Sequence, residues 1–353
     1  MGAAITATWT GASGVNWSDG ANWNFSSPPV TASHPNNDAN DTFSVLIDGG
    51  AGGNSTANLD VTSTIDTLNV STGDALIFNN TRDLTITGGS IVNNGAINMN
   101  GVTSLTALTV TNSTTISGSG TLTLNDNNQN VVSVAAGTTL TNAATHTIQG
   151  GGNLLSNTGG LNNQGKIIAN DLTPLTVDPG NASTNGGTMR ADGGILSLSA
   201  ATWANTGGTI EAINGGQVLL NNPLLTINGG TLSSATGGEI RSTVGTGATL
   251  DGVTLANGTV LRQLNTADLR IQGGIENNGT WNLDGATSST VAQFLGTQTL
   301  SGTGEIVMND SLQNFVEVDA GNVLTIGADQ TIRGAGNLGG NSGGYIAHGD
   351  IIQ

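Results

Sequence analysis

Cysteine is absent from this 353-residue chain, which removes disulfides, cysteine–zinc sites and thiol nucleophiles together. Basic residues are nearly as scarce. Seven Lys and Arg, with Lys166 the single lysine, stand against 24 Asp and Glu, for a net charge of −17. A nucleic-acid binder needs a basic footprint, and none exists; an acidic surface is also repelled by anionic lipid headgroups. Only 9% of residues are charged and 3% aromatic, too few Glu and Lys for the outer faces of a helical domain. No apolar run approaches the roughly 18–20 residues of a membrane helix, and no basic, apolar leader precedes the first strand-like run. These absences lead to the expectation of a mature segment of an exported protein, extracellular or at the cell surface and not inserted in a membrane.

Glycine is abundant instead, at 55 residues, and it is placed regularly. Gly-Gly pairs begin at Gly186, Gly193, Gly207, Gly215, Gly229 and Gly237, so that every second pair recurs after about 22 residues. Between them lie short alternating runs such as Ile195-Leu196-Ser197-Leu198 and Gln217-Val218-Leu219-Leu220. Such runs read as strands of about three to five residues, with Gly and Asn at corners that demand positive φ. A period of about 22–23 residues with two or three short strands in each predicts an all-β, right-handed parallel β-helix (a β-solenoid). A row of β-sandwich domains would need longer strands and antiparallel hairpins.

Residues 91–168 and 275–352 are two copies of one stretch: 36 of 78 aligned residues are identical without a gap. With one inserted residue the likeness extends back, giving homologous segments 65–168 and 250–352 within a helix of residues 49–353. Both copies keep Gly, Asn and apolar positions. Charge is exchanged: Glu276, Glu305, Glu317, Asp319, Asp329 and Asp350 face Val92, Thr121, Ser133, Ala135, Thr145 and Lys166. Asn125-Asp126 and Asn309-Asp310 are kept in both and are expected to cap the turns that follow.

Residues 1–48 differ in composition. Trp9, Trp17 and Trp23 precede a loop with Pro28, Pro29 and Pro35, and Asp41–Asp48 forms a strand that leads into the solenoid. The segment reads as a Trp-rich cap over the open first edge, where unpaired strands otherwise aggregate. Trp9, Trp17 and Trp23 are also candidate carbohydrate-stacking rings. Asn36-Asn37-Asp38-Ala39-Asn40-Asp41 is the densest run of oxygen ligands, so Asp38 and Asp41 are candidate calcium ligands, and calcium is the one cofactor the sequence admits.

Little else carries chemistry. His34, His146 and His348 are isolated in sequence, and no nucleophile elbow or P-loop occurs. Glu305, Glu317 and Asp319 come nearest to a carboxylate cluster, with Glu317 and Asp319 on one strand face, and no catalytic residue is assigned. The Thr-x-Thr pairs of the first copy are not kept at Asp268–Gln272 of the second, so no flat threonine ladder for ice is sustained.

The opening Trp9-Thr10-Gly11-Ala12-Ser13-Gly14-Val15-Asn16-Trp17-Ser18-Asp19-Gly20-Ala21-Asn22-Trp23 resembles the start of secreted bacterial β-helix surface proteins. These include autotransporter-like passengers and proteins with a PEP-CTERM sorting tail. The wording of Ile65–Val70, Leu84–Gly89 and Ile91–Gly95 is similar to theirs as well. The resemblance implies export and a surface or matrix role. The expected function is a non-enzymatic structural or adhesive solenoid, with partners among surface or matrix glycans or other copies of itself. Because the sequence stops inside the apolar run Ile351-Ile352-Gln353, end-to-end stacking into fibres is also expected. The alternative is a polysaccharide-degrading β-helix enzyme, a lyase or glycoside hydrolase, which would need a cleft holding paired carboxylates.

Overall fold

The computed structural model describes residues 3–29, 31–49, 53–199, 202–243, 245, 247–339 and 344–348. Asp350 and Ile351-Ile352-Gln353 lie outside the described residues. The chain divides into two compact units, Met1–Asn181 and Ala182–Gln353, and each is a parallel β-solenoid, with about 13 turns in all. Among the described residues the helical content is one 3-10 turn, Gly20–Asn22.

Each coil runs through three short strands, as in Thr106–Val110, Thr114–Ser117 and Thr121–Leu124. Alternation within them buries every second side chain, and parallel pairing stacks the buried ones into ladders. In the first unit one ladder is Leu84, Leu108, Val132, Leu154 and Val177. Another is Leu76, Ile97, Leu122, Ile148 and Ile167. In the second unit Leu196, Val218, Ile240, Leu261, Trp281 and Ile306 stack likewise. All of these are fully buried, and each contributes about 1.5–3 kcal/mol of transfer free energy. Trp281 stands where the first copy has Ile97; its buried indole N–H needs an acceptor, which Gln263 Oε1 provides at 3.2 Å.

The coil length is a mean and not a constant. The step from Ala57 to its pair Leu76 is much shorter than the step from Leu122 to its pair Ile148. Corners absorb the difference, and amide side chains hold them. Asn130 Oδ1 accepts from Gly101 N at 2.7 Å, and its copy Asn314 accepts from Gly285 N at 2.7 Å. Asp126, expected to cap its own turn, instead accepts from Thr173 N at 2.6 Å, two coils on.

The first edge is closed by the cap. Trp23–Phe25 runs antiparallel to the outer side of Ala3–Trp9, pairing Ala7, Thr8 and Trp9 with Phe25, Asn24 and Trp23, while Asp41–Ile47 pairs in parallel on the inner side.

Candidate functional site

The three cap tryptophans are not a stacking platform. Trp9 and Trp17 are fully buried and Trp23 is 6% exposed. Trp23 meets Trp9 edge-on at 4.9 Å and Trp17 edge-on at 4.7 Å. Trp17 Nε1 donates to Pro35 O at 3.1 Å and Trp23 Nε1 to Trp17 O at 2.8 Å. Buried rings packed edge to face exclude water from the first coil but offer nothing to a sugar ring, which corrects the carbohydrate-stacking expectation for Trp9, Trp17 and Trp23.

The Asn36–Asp41 run acts as a clasp. Asn37 Oδ1 accepts from Phe43 N at 2.7 Å and its Nδ2 donates to Asp66 Oδ1 at 3.0 Å. Asp38 accepts from the Thr31 hydroxyl, from Asn40 N at 2.7 Å and from Asp41 N at 2.8 Å; these bonds, the one from Thr31 foremost, hold its carboxyl below the usual range. Asp41 is buried. The oxygens of Asp38 are thus engaged by the loop itself, and among the described residues no three Asp, Glu or His side chains gather as a metal group.

The expected carboxylate cluster separates. Glu305 is held by Arg333 at 2.7 and 3.0 Å, which depresses its pKa. Asp319 accepts from Gln293 Nε2 at 3.3 Å and Gly296 N at 3.2 Å. Glu317 instead shares a face with a residue that sequence reasoning missed. Burial first, and then the charge of Asp268, push the Glu317 carboxyl up; burial also raises Asp268, against the pull of Arg270. The register puts Arg270, Gln293 and Glu317 in one row, and Asp268, Val291 and Phe315 in the row two residues earlier on the same face. The two acids lie about two coils apart along the chain, so the coil period was the signal that would have brought them together.

An open groove of about 540 Å³ lies in the second unit. Its origin is a corner without side chains. The register slips between Asp251 and Val253, and Gly273 and Gly274 turn with φ of 66° and 82°. Gln298 clamps the corner: its Oε1 accepts from Gly274 N at 3.2 Å, and its Nε2 donates to Ile271 O at 2.9 Å and Leu295 O at 2.8 Å. Along the groove Thr254, Glu276 and Ser301 occupy one row on successive coils, spaced by about 4.8 Å. Glu276 is exposed and accepts from Thr254 Oγ1 at 3.4 Å and Asn278 Nδ2 at 3.1 Å. In the first copy the same row is Asn69, Val92 and Ser117. Hydroxyl, carboxylate and hydroxyl in a line suit an extended ligand rich in hydroxyl donors. Among the described residues no Lys, Arg or His lines the groove.

No family model matches this sequence, and neither the curated proteins nor the solved structures contain a match to it.

Proposed function

We propose that this protein is a non-enzymatic structural or adhesive β-solenoid of a bacterial surface or matrix, working outside the cell and meeting glycans through the outer face of its second unit. The observation that carries the reading is the row Thr254–Glu276–Ser301 along an open groove in which, among the described residues, no second acid or base faces Glu276. The Trp-rich opening supports export by its resemblance to secreted β-helix surface proteins. Self-association end to end has less support at the first edge, because a partner strand there must displace Trp23–Phe25. The test is a glycan array probed with the full chain, beside an assay for released reducing ends. Binding that is lost in Glu276→Val, the residue of the first copy, supports adhesion; release of oligosaccharide overturns it.

The Asp268–Glu317 face favours a second reading, a polysaccharide-active enzyme. Two carboxyls on one face, two coils apart and both shifted upward, can divide acid and base roles. Reducing-end release abolished by Glu317→Gln would establish that reading in place of the first.

A further inference from the structure

His146 is the one fully buried imidazole of the first copy, and its surroundings fix its proton. The ring is 0% exposed. Asn142 Nδ2 is committed to Asn163 Oδ1 at 2.8 Å and Lys166 O at 3.2 Å, so its Oδ1 can only accept, and His146 Nδ1 donates to it at 2.8 Å. Asn93 Nδ2 donates to Thr121 O at 2.9 Å and stands 3.1 Å from His146 Nε2, which therefore accepts. These partners require a neutral imidazole, and both of its nitrogens are satisfied. No carboxylate compensates a charge there: the ring's partners are Asn93 and Asn142, whose own partners are Thr121 O, Asn163 Oδ1 and the backbone carbonyl of Lys166, a residue with an exposed side chain; burial alone acts on the ring, holding its pKa down at about 4.

The second copy repeats the turn with a residue that cannot titrate. His146 N donates to Ala143 O at 3.0 Å, and Gln330 N donates to the equivalent Gly327 O at 3.0 Å. Gly120 N and Gly304 N each donate to the carbonyls of Asn93 and Asn277 at 2.8 Å. Gln330 Nε2 donates to Asn277 O at 2.6 Å, Asn277 Nδ2 donates to Gln330 Oε1 at 3.3 Å, and Asn277 Oδ1 accepts from Gly279 N at 3.0 Å. In the first copy the corresponding oxygen, Asn93 Oδ1, is buried without a partner. One cluster is saturated and pH-blind; the other holds a base and an idle acceptor.

We propose that His146, Asn93 and Asn142 form a proton-operated latch. Protonation of His146 at Nε2 consumes the lone pair that accepted from Asn93, sets two donors face to face, and turns the Asn93 amide so that its idle Oδ1 accepts from the new N–H. That turn gives up the Asn93 bond to Thr121 O and loosens the coils of the first copy in acid, while the Gln330 cluster of the second copy stays shut. A solvent proton is taken up, the two bonds that Asn93 Nδ2 donates to Thr121 O and His146 Nε2 break, one from His146 Nε2–H to Asn93 Oδ1 forms, and nothing else is consumed. The latch is a property of the first unit beyond any adhesive role, and it makes the solenoid responsive to an acidic surface environment.

The experiment uses the full chain. Imidazole proton resonances are followed against pH, with the His146 signal identified by its loss in His146→Gln, and amide hydrogen exchange, corrected for intrinsic rates, is read in parallel. The expected result is a His146 midpoint near 4, with protection of Thr121–Leu124 and Thr147–Gly150 falling by up to about tenfold per pH unit from 6.5 towards 4. His146→Gln abolishes this fall, and Gln330→His transfers it to Glu305–Val318. Midpoints near the ordinary 6.5 for all three imidazoles overturn the latch, and this reading needs no variant to be stable; a fall in protection that survives His146→Gln overturns it as well.

Discussion

Residues 1–181 contain no glutamate, and only two basic residues against eleven acidic; residues 182–353 hold all five glutamates, with five basic residues against thirteen acidic. Among the described residues the ion pairs all fall in the second unit: Arg190–Glu211, Arg241–Glu239, Arg262 with both Glu239 and Asp284, and Arg333–Glu305. The first unit finishes its outer faces with amides and hydroxyls, as where Asn80 Oδ1 receives Val102 N at 2.8 Å and Thr103 N at 3.2 Å. Yet the second unit keeps that device too, since Asn265 Oδ1 receives Ala286 N at 2.8 Å and Thr287 N at 3.1 Å. The corners and the core are common property. Charge is laid over them and is free to change, because an outward position on a parallel sheet is constrained only by its neighbours one coil away.

The largest losses are expected where the two copies share a corner. Gly150 and Gly334 occupy the same place in the two copies, with φ of 112° and 105°. A Cβ there would lie 1.9 Å from Leu124 O and 1.8 Å from Met308 O. Gly150→Ala and Gly334→Ala should each cost about 3 kcal/mol or more, by strain and displaced backbone, and chemical denaturation would show the same loss in both; a neutral result in either copy would separate them.

Acid should distinguish the copies next. The folded pKa of His146, about 4, lies below its unfolded value of 6.5, so the unfolded state takes up the proton first as pH falls. The contribution of His146 to stability is therefore whole above pH 6.5, declines between 6.5 and 4, and is level below. The loss is about 3 kcal/mol at most, confined to the first copy and absent from His146→Gln in urea titrations at pH 7 and pH 4.

Smaller effects belong to charge. Arg262 joins Glu239 at 3.2 Å to Asp284 at 2.7 Å, with side chains 19–31% exposed. Arg262→Ala should cost about 0.5–1 kcal/mol, less in high salt, since partly exposed pairs are screened. A cost above about 2 kcal/mol would show that the second unit depends on its ion pairs in a way the first does not. The smallest effect is expected in the cap, where Asp38 is satisfied by Thr31, Asn40 and Asp41. EDTA and added calcium should both leave the thermal midpoint unchanged, and a rise with calcium would restore Asp38 and Asp41 as ligands.

The glycine comb made the coil legible from the sequence, and the alternating runs between the corners marked out the buried ladders: Leu196, Val218 and Ile240 follow Gly-Gly corners at a near-constant interval. The duplication told architecture from decoration at Glu276 against Val92. The site was less legible. Trp9, Trp17 and Trp23 look alike whether their rings face solvent or one another, and only their packing separates a plug from a platform. His146 is isolated along the chain but sits beside Asn93, 53 positions away. Asp268 and Glu317 likewise have no neighbourhood in sequence.

What the sequence determined by itself is local and repeated: left-handed corners favour glycine, with Asn214 and Thr236 among the exceptions, and an alternating apolar run buries one face in every coil. What the tertiary structure decided is which side chains meet between coils. Coils vary in length, from the short step Ala57–Leu76 to the long step Leu122–Ile148. The register between distant coils is therefore a sum of many corners, each set by its own packing, and it is that sum which seats His146 against Asn93 and Glu317 near Asp268.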